Sequence, residues 1–308
     1  MPFGRGFFLA LAKSSFLNDH VTQWGFVKRA TKRFMPGETP EDAMAASAAL
    51  AADGRGTIFT KLGEAVTEPS EAAAVRDHYV WLFDQIKTKG LPAHVSVKPT
   101  QLGLDIDPKL CAEYTMELAA KAHATGSILW IDMEDSSYVD RTIALYKQVK
   151  AAYADTGIAI QAYLLRTPKD IADLMPVNPI VRLVKGAYSE PAHVAFPRKA
   201  DTDRAFYELS DTLLKAAAAG KCLPIFGTHD IALVGRIAAR AQELGVAPGK
   251  FEIHMLYGIK DAEQQRLRAD GHTVKTLVSY GSAWFKWYMR RLAERPANIG
   301  FVLRSMLG

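Results

Sequence analysis

A (βα)8 barrel of the α/β class is predicted from three features of the sequence. Short β-rich runs recur eight times after residue 55, and alanine-rich stretches of helical spacing separate them. The eight units occupy about 250 residues, which is the usual extent of such a barrel. The first run also leads into TKLGEAVTEPSEAA, which carries no GxGxxG or Walker pattern. A doubly wound open sheet would announce its dinucleotide site there, so the closed barrel is preferred.

In chain order the strands are GTIFTKL (56–62), AHVSVK (93–98), SILWIDME (127–134), IAIQAYL (158–164), IVRLVKGAY (180–188), CLPIFGTH (222–229), FEIHMLYG (251–258) and HTVKTLVSYG (272–281). Helical segments between them include EAAAVRDHYVWLFDQIKTKG, PKLCAEYTMELAAKAHATG and DRAFYELSDTLLKAAAAGK. Each ends at a glycine or a polar turn, as helix C-termini do. Alternation of strand and helix implies a parallel sheet. Residues 1–55 read as an added N-terminal helical region and residues 56–308 as the barrel.

The bulk composition narrows the function classes. Of 308 residues, 38 are basic and 33 acidic, a net charge of +5 that is too small for a nucleic-acid footprint. Two isolated cysteines, Cys111 and Cys222, sit in no zinc or redox spacing and fit a reducing compartment, so a cytoplasmic location is expected. The apolar run Phe7 to Leu11 is too short to span a bilayer. It reads as an amphipathic helix packed on the body. With the aromatic and basic stretch WGFVKRATKRF nearby, peripheral contact with the inner face of the cell membrane is the second reading.

In a barrel of this type the chemistry sits at the C-terminal ends of the strands. Those ends carry Lys98, Asp132 with Glu134, Gln161, Tyr163, Arg182, Lys185, Tyr188, Thr228, His229, His254, Leu256 and Tyr257. They make a ring of basic and hydrogen-bonding groups with two acids, suited to a phosphate-bearing cofactor and a small anion. His229 and His254 lie on separate strands without a matched carboxylate, so no metal site is expected. Each residue has a plainer reading: Lys98 as a solvated lysine, Asp132 as the cap of the next turn, Thr228 and His229 as a helix cap, and His254 as a core histidine. A cofactor-free barrel using Lys98 or Lys185 for a Schiff base is the reading from another reaction class. Taken alone, WYMRRLAERPAN reads as a charged, solvated helix with i,i+4 pairs.

The strand ends SVK, IDMED, QAY, RLVKGAY, THD and MLYGI, closed by YGSAWFKWYMRRLAERPAN, resemble the proline dehydrogenase family in order and spacing. The resemblance covers the barrel to the C-terminus and is closest to the short monofunctional bacterial enzymes. It implies a distorted (βα)8 barrel whose last helix caps the mouth, with non-covalent FAD, oxidation of L-proline to Δ1-pyrroline-5-carboxylate, and transfer of electrons to a quinone. A separate pyrroline-5-carboxylate dehydrogenase would act downstream. By resemblance, Arg290, Arg291 and Lys98 hold the substrate carboxylate, Asp132 orients Lys98, and Glu294 holds the arginines. Tyr188 and Leu256 resemble the pocket walls. Gln161, Arg182, Lys185, Gly186, Ala187, Thr228 and His229 resemble the flavin contacts. Two positions depart from the family: Leu277 and Trp287 stand where tyrosines are usual. Leu277 opens a second reading, a dehydrogenase of 4-hydroxyproline or another cyclic imino acid.

Overall fold

A computed structural model describes residues 33–285 of the chain. Eight parallel strands close into a barrel in sequence order, each hydrogen-bonded to the next and β8 to β1. They are β1 (Gly56–Lys61), β2 (Ala93–Val97), β3 (Leu129–Ile131), β4 (Thr156–Gln161), β5 (Ile180–Val184), β6 (Leu223–Gly227), β7 (Glu252–Leu256) and β8 (Thr273–Tyr280). Every predicted strand is present. Most are shorter than the apolar runs that announce them, because the last residues of each run turn into the loops that carry the polar groups.

Eight α-helices accompany the strands among the described residues: α1 (Pro40–Ala52), α2 (Pro69–Thr88), α3 (Pro108–Ala124), α4 (Val139–Ala152), α5 (Thr167–Leu174), α6 (Lys199–Ala218), α7 (Ile231–Glu243) and α8 (Asp261–Ala269). In α2, buried Ala72, Val75, Tyr79, Leu82, Phe83 and Ile86 recur at helical spacing and lay one apolar stripe on the sheet. The main core therefore lies between strands and helices, and includes Phe59, Val95, Ile131, Ile160 and Phe226.

The lumen has a second, smaller core. Alternation along each strand sends Ile58, Trp130 and Ile225 inward, with Ile128, Ile180, Leu223 and Leu277 packed against them. The same period of two carries His94, Ser96 and Lys98 to the lumen on β2 and its extension, and Trp130 and Asp132 on β3.

Helix α1 precedes the barrel in sequence but packs on β1 and β8, burying Ala43, Met44, Ser47 and Leu50. It thus fills the seat that a helix following β8 would take in a regular barrel. A reciprocal Thr39–Asp42 capping box starts it. Trp284, just after β8, donates from Nε1 to Glu38 Oε1 at 2.9 Å and ties that end of the chain to the approach to α1. Arg290, Arg291, Glu294 and Trp287, and the membrane-contact reading of residues before 33, lie outside the described residues. Among those described, no helix is long and apolar enough to cross a membrane.

Candidate active site

Asp132 sits at the lumen mouth, just past β3, between two cations. Lys98 Nζ donates to its Oδ2 at 3.1 Å, and Arg182 Nη2 pairs with its Oδ1. Ser96 donates to the same Oδ1 at 2.8 Å and accepts from Arg182 Nη2 at 2.9 Å. Burial pushes the Asp132 carboxyl up, but Lys98 and Arg182 outweigh it and hold the group below its ordinary value. One carboxylate between two cations leaves a net positive charge in a largely desolvated place, which favours an incoming anion. Asp132 caps no helix: the following turn, Ser136–Tyr138, is capped by Asp135. Glu134 instead accepts from Thr100 N at 3.0 Å and Thr100 Oγ1 at 2.7 Å.

On the adjoining strands β4 and β5, Gln161 and Arg182 are buried (2% and 4% exposed), yet Gln161 Oε1 and Arg182 Nη1 have no hydrogen-bond partner among the described residues. Such atoms are costly unless something else meets them. Lys185 follows β5, and its Nζ reaches Asp203 Oδ1 at 2.5 Å and Asp230 Oδ2 at 3.2 Å. An ammonium has three donors, so one is left over.

Gly186 has φ +117°, and a Cβ there would lie 2.3 Å from the Tyr163 ring. The backbone is pressed against that ring in a conformation only glycine adopts cheaply. Gly186→Ala is expected to cost about 2–5 kcal/mol from backbone strain and overpacking. Urea unfolding measures this, and an unchanged midpoint would mean that the Tyr163 ring gives way freely. Ala187 and Tyr188 continue the loop, half-buried.

Thr228 is buried and accepts from Asp230 N at 3.2 Å, whereas Asp230 itself caps α7 through Leu233 N at 3.2 Å. The cap is therefore neither Thr228 nor His229. His229 Nε2 accepts from Leu256 N at 2.9 Å, which joins the end of β6 to that of β7 and places the ring proton of a neutral imidazole on Nδ1.

Leu256 and Leu277 are register neighbours on β7 and β8, and Leu277 also pairs with Ile58 of β1. Both are half-buried, Leu256 at the end of an otherwise buried β7, and Leu277 rests on the inner apolar cluster. They give the lumen an aliphatic wall.

His254 belongs to the lumen core. Its Nε2 meets Glu252 Oε2 at 2.8 Å, and burial pushes its pKa down to about 4 despite that carboxylate. Glu252 also pairs with Lys275 at 2.7 Å. Sequence reasoning missed Ser96 and Trp130. Both stand two residues before a strand-end residue it did single out, Lys98 and Asp132, and so share its face.

The sequence profile of the family described as proline dehydrogenase matches residues 43–304. "Proline dehydrogenase 2" of Bacillus subtilis subsp. natto is 36% identical over 306 residues, covering 99% of each chain. "Proline dehydrogenase" of Deinococcus radiodurans is 34% identical over 281 residues, covering 90% of this chain and 89% of that one. Among solved structures, proline utilization A (PutA) from Bdellovibrio bacteriovorus, inactivated by N-propargylglycine, superposes with a TM-score of 0.81 at 21% identity. PutA from Corynebacterium freiburgense does so with a TM-score of 0.74 at 19% identity. These alignments cover 95% and 98% of this chain but only 37% and 34% of the PutA chains, and the likeness is one of fold.

Proposed function

The chain belongs to the proline dehydrogenase family and oxidises proline, and from that premise we propose that it converts L-proline to Δ1-pyrroline-5-carboxylate with FAD as bound cofactor. Proline loses a hydride from C5 and a proton from nitrogen, and the C5–N bond becomes double. The observation that carries this reading is the pairing of Lys98 and Arg182 with a single carboxylate, Asp132, at a mouth walled on another side by Leu256 and Leu277. A charged, hydrogen-bonding end and an aliphatic wall suit a small amino acid with an apolar ring.

The residues present fit a flavin. Gln161 and Arg182 keep an acceptor and a donor in reserve inside the lumen, and Gly186 lets the backbone approach closely. These two side chains would hold the flavin ring. Lys185, Gly186 and Ala187 would hold the ribityl and pyrophosphate, and Thr228 and His229 the adenosine end. FAD, when bound, supplies the acceptor for the hydride.

The chain's own contribution is alignment and charge. Lys98, with Arg290 and Arg291, binds the substrate carboxylate, since several fixed cations grip a carboxylate with defined direction. Asp132 orients Lys98, Glu294 holds the arginines, and Tyr188, Leu256 and Leu277 press the ring toward the flavin. What supports an arginine helix over the mouth is α1, which already fills the seat beside β8. A Schiff-base role suits Lys98 and Lys185 poorly: both are ion-paired, the opposite of the desolvated, unpaired amine that such chemistry uses.

Leu277 favours proline over its 4-hydroxy derivative. A hydroxyl turned onto the aliphatic wall of Leu256 and Leu277 would lack a partner, at a cost of about 1–3 kcal/mol. Purified protein is expected to be yellow, to bleach anaerobically with L-proline, and to show a kcat/KM for proline about 10- to 100-fold above that for trans-4-hydroxyproline. Colourless protein that takes up no flavin refutes the cofactor, and a preference for hydroxyproline refutes the substrate. Electrons would leave to a membrane quinone through peripheral contact on the cytoplasmic face, and the product would pass to a separate pyrroline-5-carboxylate dehydrogenase.

A further inference from the structure

Below the Lys98–Asp132–Arg182 group lies an aromatic layer that the proposed reaction does not use. Trp130 is fully buried in the lumen, two residues before Asp132 on the same face of β3. The Arg182 guanidinium carbon lies 4.6 Å from the centroid of the indole. The His254 ring meets the indole edge-to-face, at 5.5 Å between centroids and 79° between planes. Gly157 is the register neighbour of Trp130 on β4, and a Cβ there would lie 2.6 Å from the indole. The indole is therefore held by the strand on one side, His254 on another and the guanidinium above. His254 is itself fixed by Glu252, and Glu252 by Lys275.

Packing alone does not account for a tryptophan in this place. Its Nε1 is buried and has no hydrogen-bond partner among the described residues, a cost that a phenylalanine of similar shape would avoid. What the indole provides beyond phenylalanine is the stronger attraction of its face for a cation. The cation above it, Arg182, has two jobs at once: Nη2 serves Asp132 and Ser96, while Nη1 has no hydrogen-bond partner among the described residues. A guanidinium is planar, so resting it against a fixed aromatic fixes the direction of all its donors together.

We propose that Trp130 is a positioning residue for catalysis: its indole, locked by Gly157 and His254, sets the orientation of Arg182 and, through Asp132, that of Lys98. This rests on the proline-oxidising reading of the same site and adds residues that touch neither substrate nor cofactor.

The test is a double-mutant cycle in the flavin-loaded full chain, using Trp130→Phe, Trp130→Leu and Arg182→Lys with their combinations. Turnover of proline by the unsubstituted protein comes first and tests the proposed function by itself. Trp130→Leu is expected to lower kcat at least tenfold and Trp130→Phe to lower it much less, because an aromatic face is partly kept. In the Arg182→Lys background both tryptophan substitutions should lose most of their effect, since a lysine has no plane to orient. Urea unfolding of the flavin-free proteins runs the same cycle without any turnover. There Trp130→Leu and Arg182→Lys should be non-additive, and Trp130→Phe keeps the cycle readable if the leucine variant does not fold. Equal loss with Phe and Leu, or additive effects with Arg182→Lys in both measurements, overturns the proposal and leaves Trp130 as lumen filler.

Discussion

Asp132→Ala is expected to destabilise the protein by about 3–5 kcal/mol, because it strands two cations, one of them deeply buried, without their shared counter-charge. Arg182 is only 4% exposed and keeps just the Ser96 hydroxyl as a hydrogen-bond partner among the described residues, while Lys98 loses the group that orients it. Proline turnover should fall to background in the same variant. The pH dependence has a definite sign. The folded-state pKa of Asp132 is depressed, so its stabilising contribution is fully present above the unfolded carboxylate value near 4 and is lost as pH falls below it. The stability gap between the native protein and the alanine variant should therefore be wide at pH 7 and narrow well below pH 4. Urea midpoints at several pH values give that gap. A gap that stays constant down to strong acid would mean that Asp132 is not the ionised partner described here.

Lys98→Met is expected to separate binding from folding. Its side chain is 14% exposed, and Asp132 keeps Arg182 and Ser96 when the ammonium is removed, so the fold loses little. A substrate carboxylate, however, loses a charge-assisted hydrogen bond and meets an Asp132 that is less well screened. A charge-assisted hydrogen bond is worth about 1.5–3 kcal/mol, so kcat/KM for proline should fall about 10- to 150-fold, with most of the change in KM. Steady-state kinetics beside a thermal melt distinguishes the outcomes. An unchanged KM would remove Lys98 from the carboxylate site, and a melting loss as large as that of Asp132→Ala would make it a structural residue.

The barrel was legible because strand and helix periodicities are local properties. Runs such as IVRLV and FEIHML show their apolar content within a few residues, and the loops between them carry glycine and helix-starting proline. Strand ends were less sharp. The run SILWIDME yields a ladder of only Leu129–Ile131, since its last residues leave the sheet to place Asp132 and Glu134. Asp132 and Glu134 look alike in sequence, two acids one residue apart. One joins Lys98 and Arg182 from other strands, and the other caps the turn after β2 through Thr100. Which acid does which depends on the barrel's register, and that is a long-range property.

The sequence by itself determined the number, order and parallel arrangement of the strands, the set of polar residues at their ends, and the family to which they belong. These follow from patterns a few residues long and from the order in which they recur. Only the tertiary structure decided that α1 fills the seat between β8 and β1, that His254 is a lumen residue against Trp130, and that a buried tryptophan supports Arg182. Each of these joins groups distant along the chain, brought together by closure of β8 onto β1 and by the inward turn of alternate side chains. No local pattern encodes which inward residue will lie beneath which other, because that is fixed by the stagger of the closed sheet.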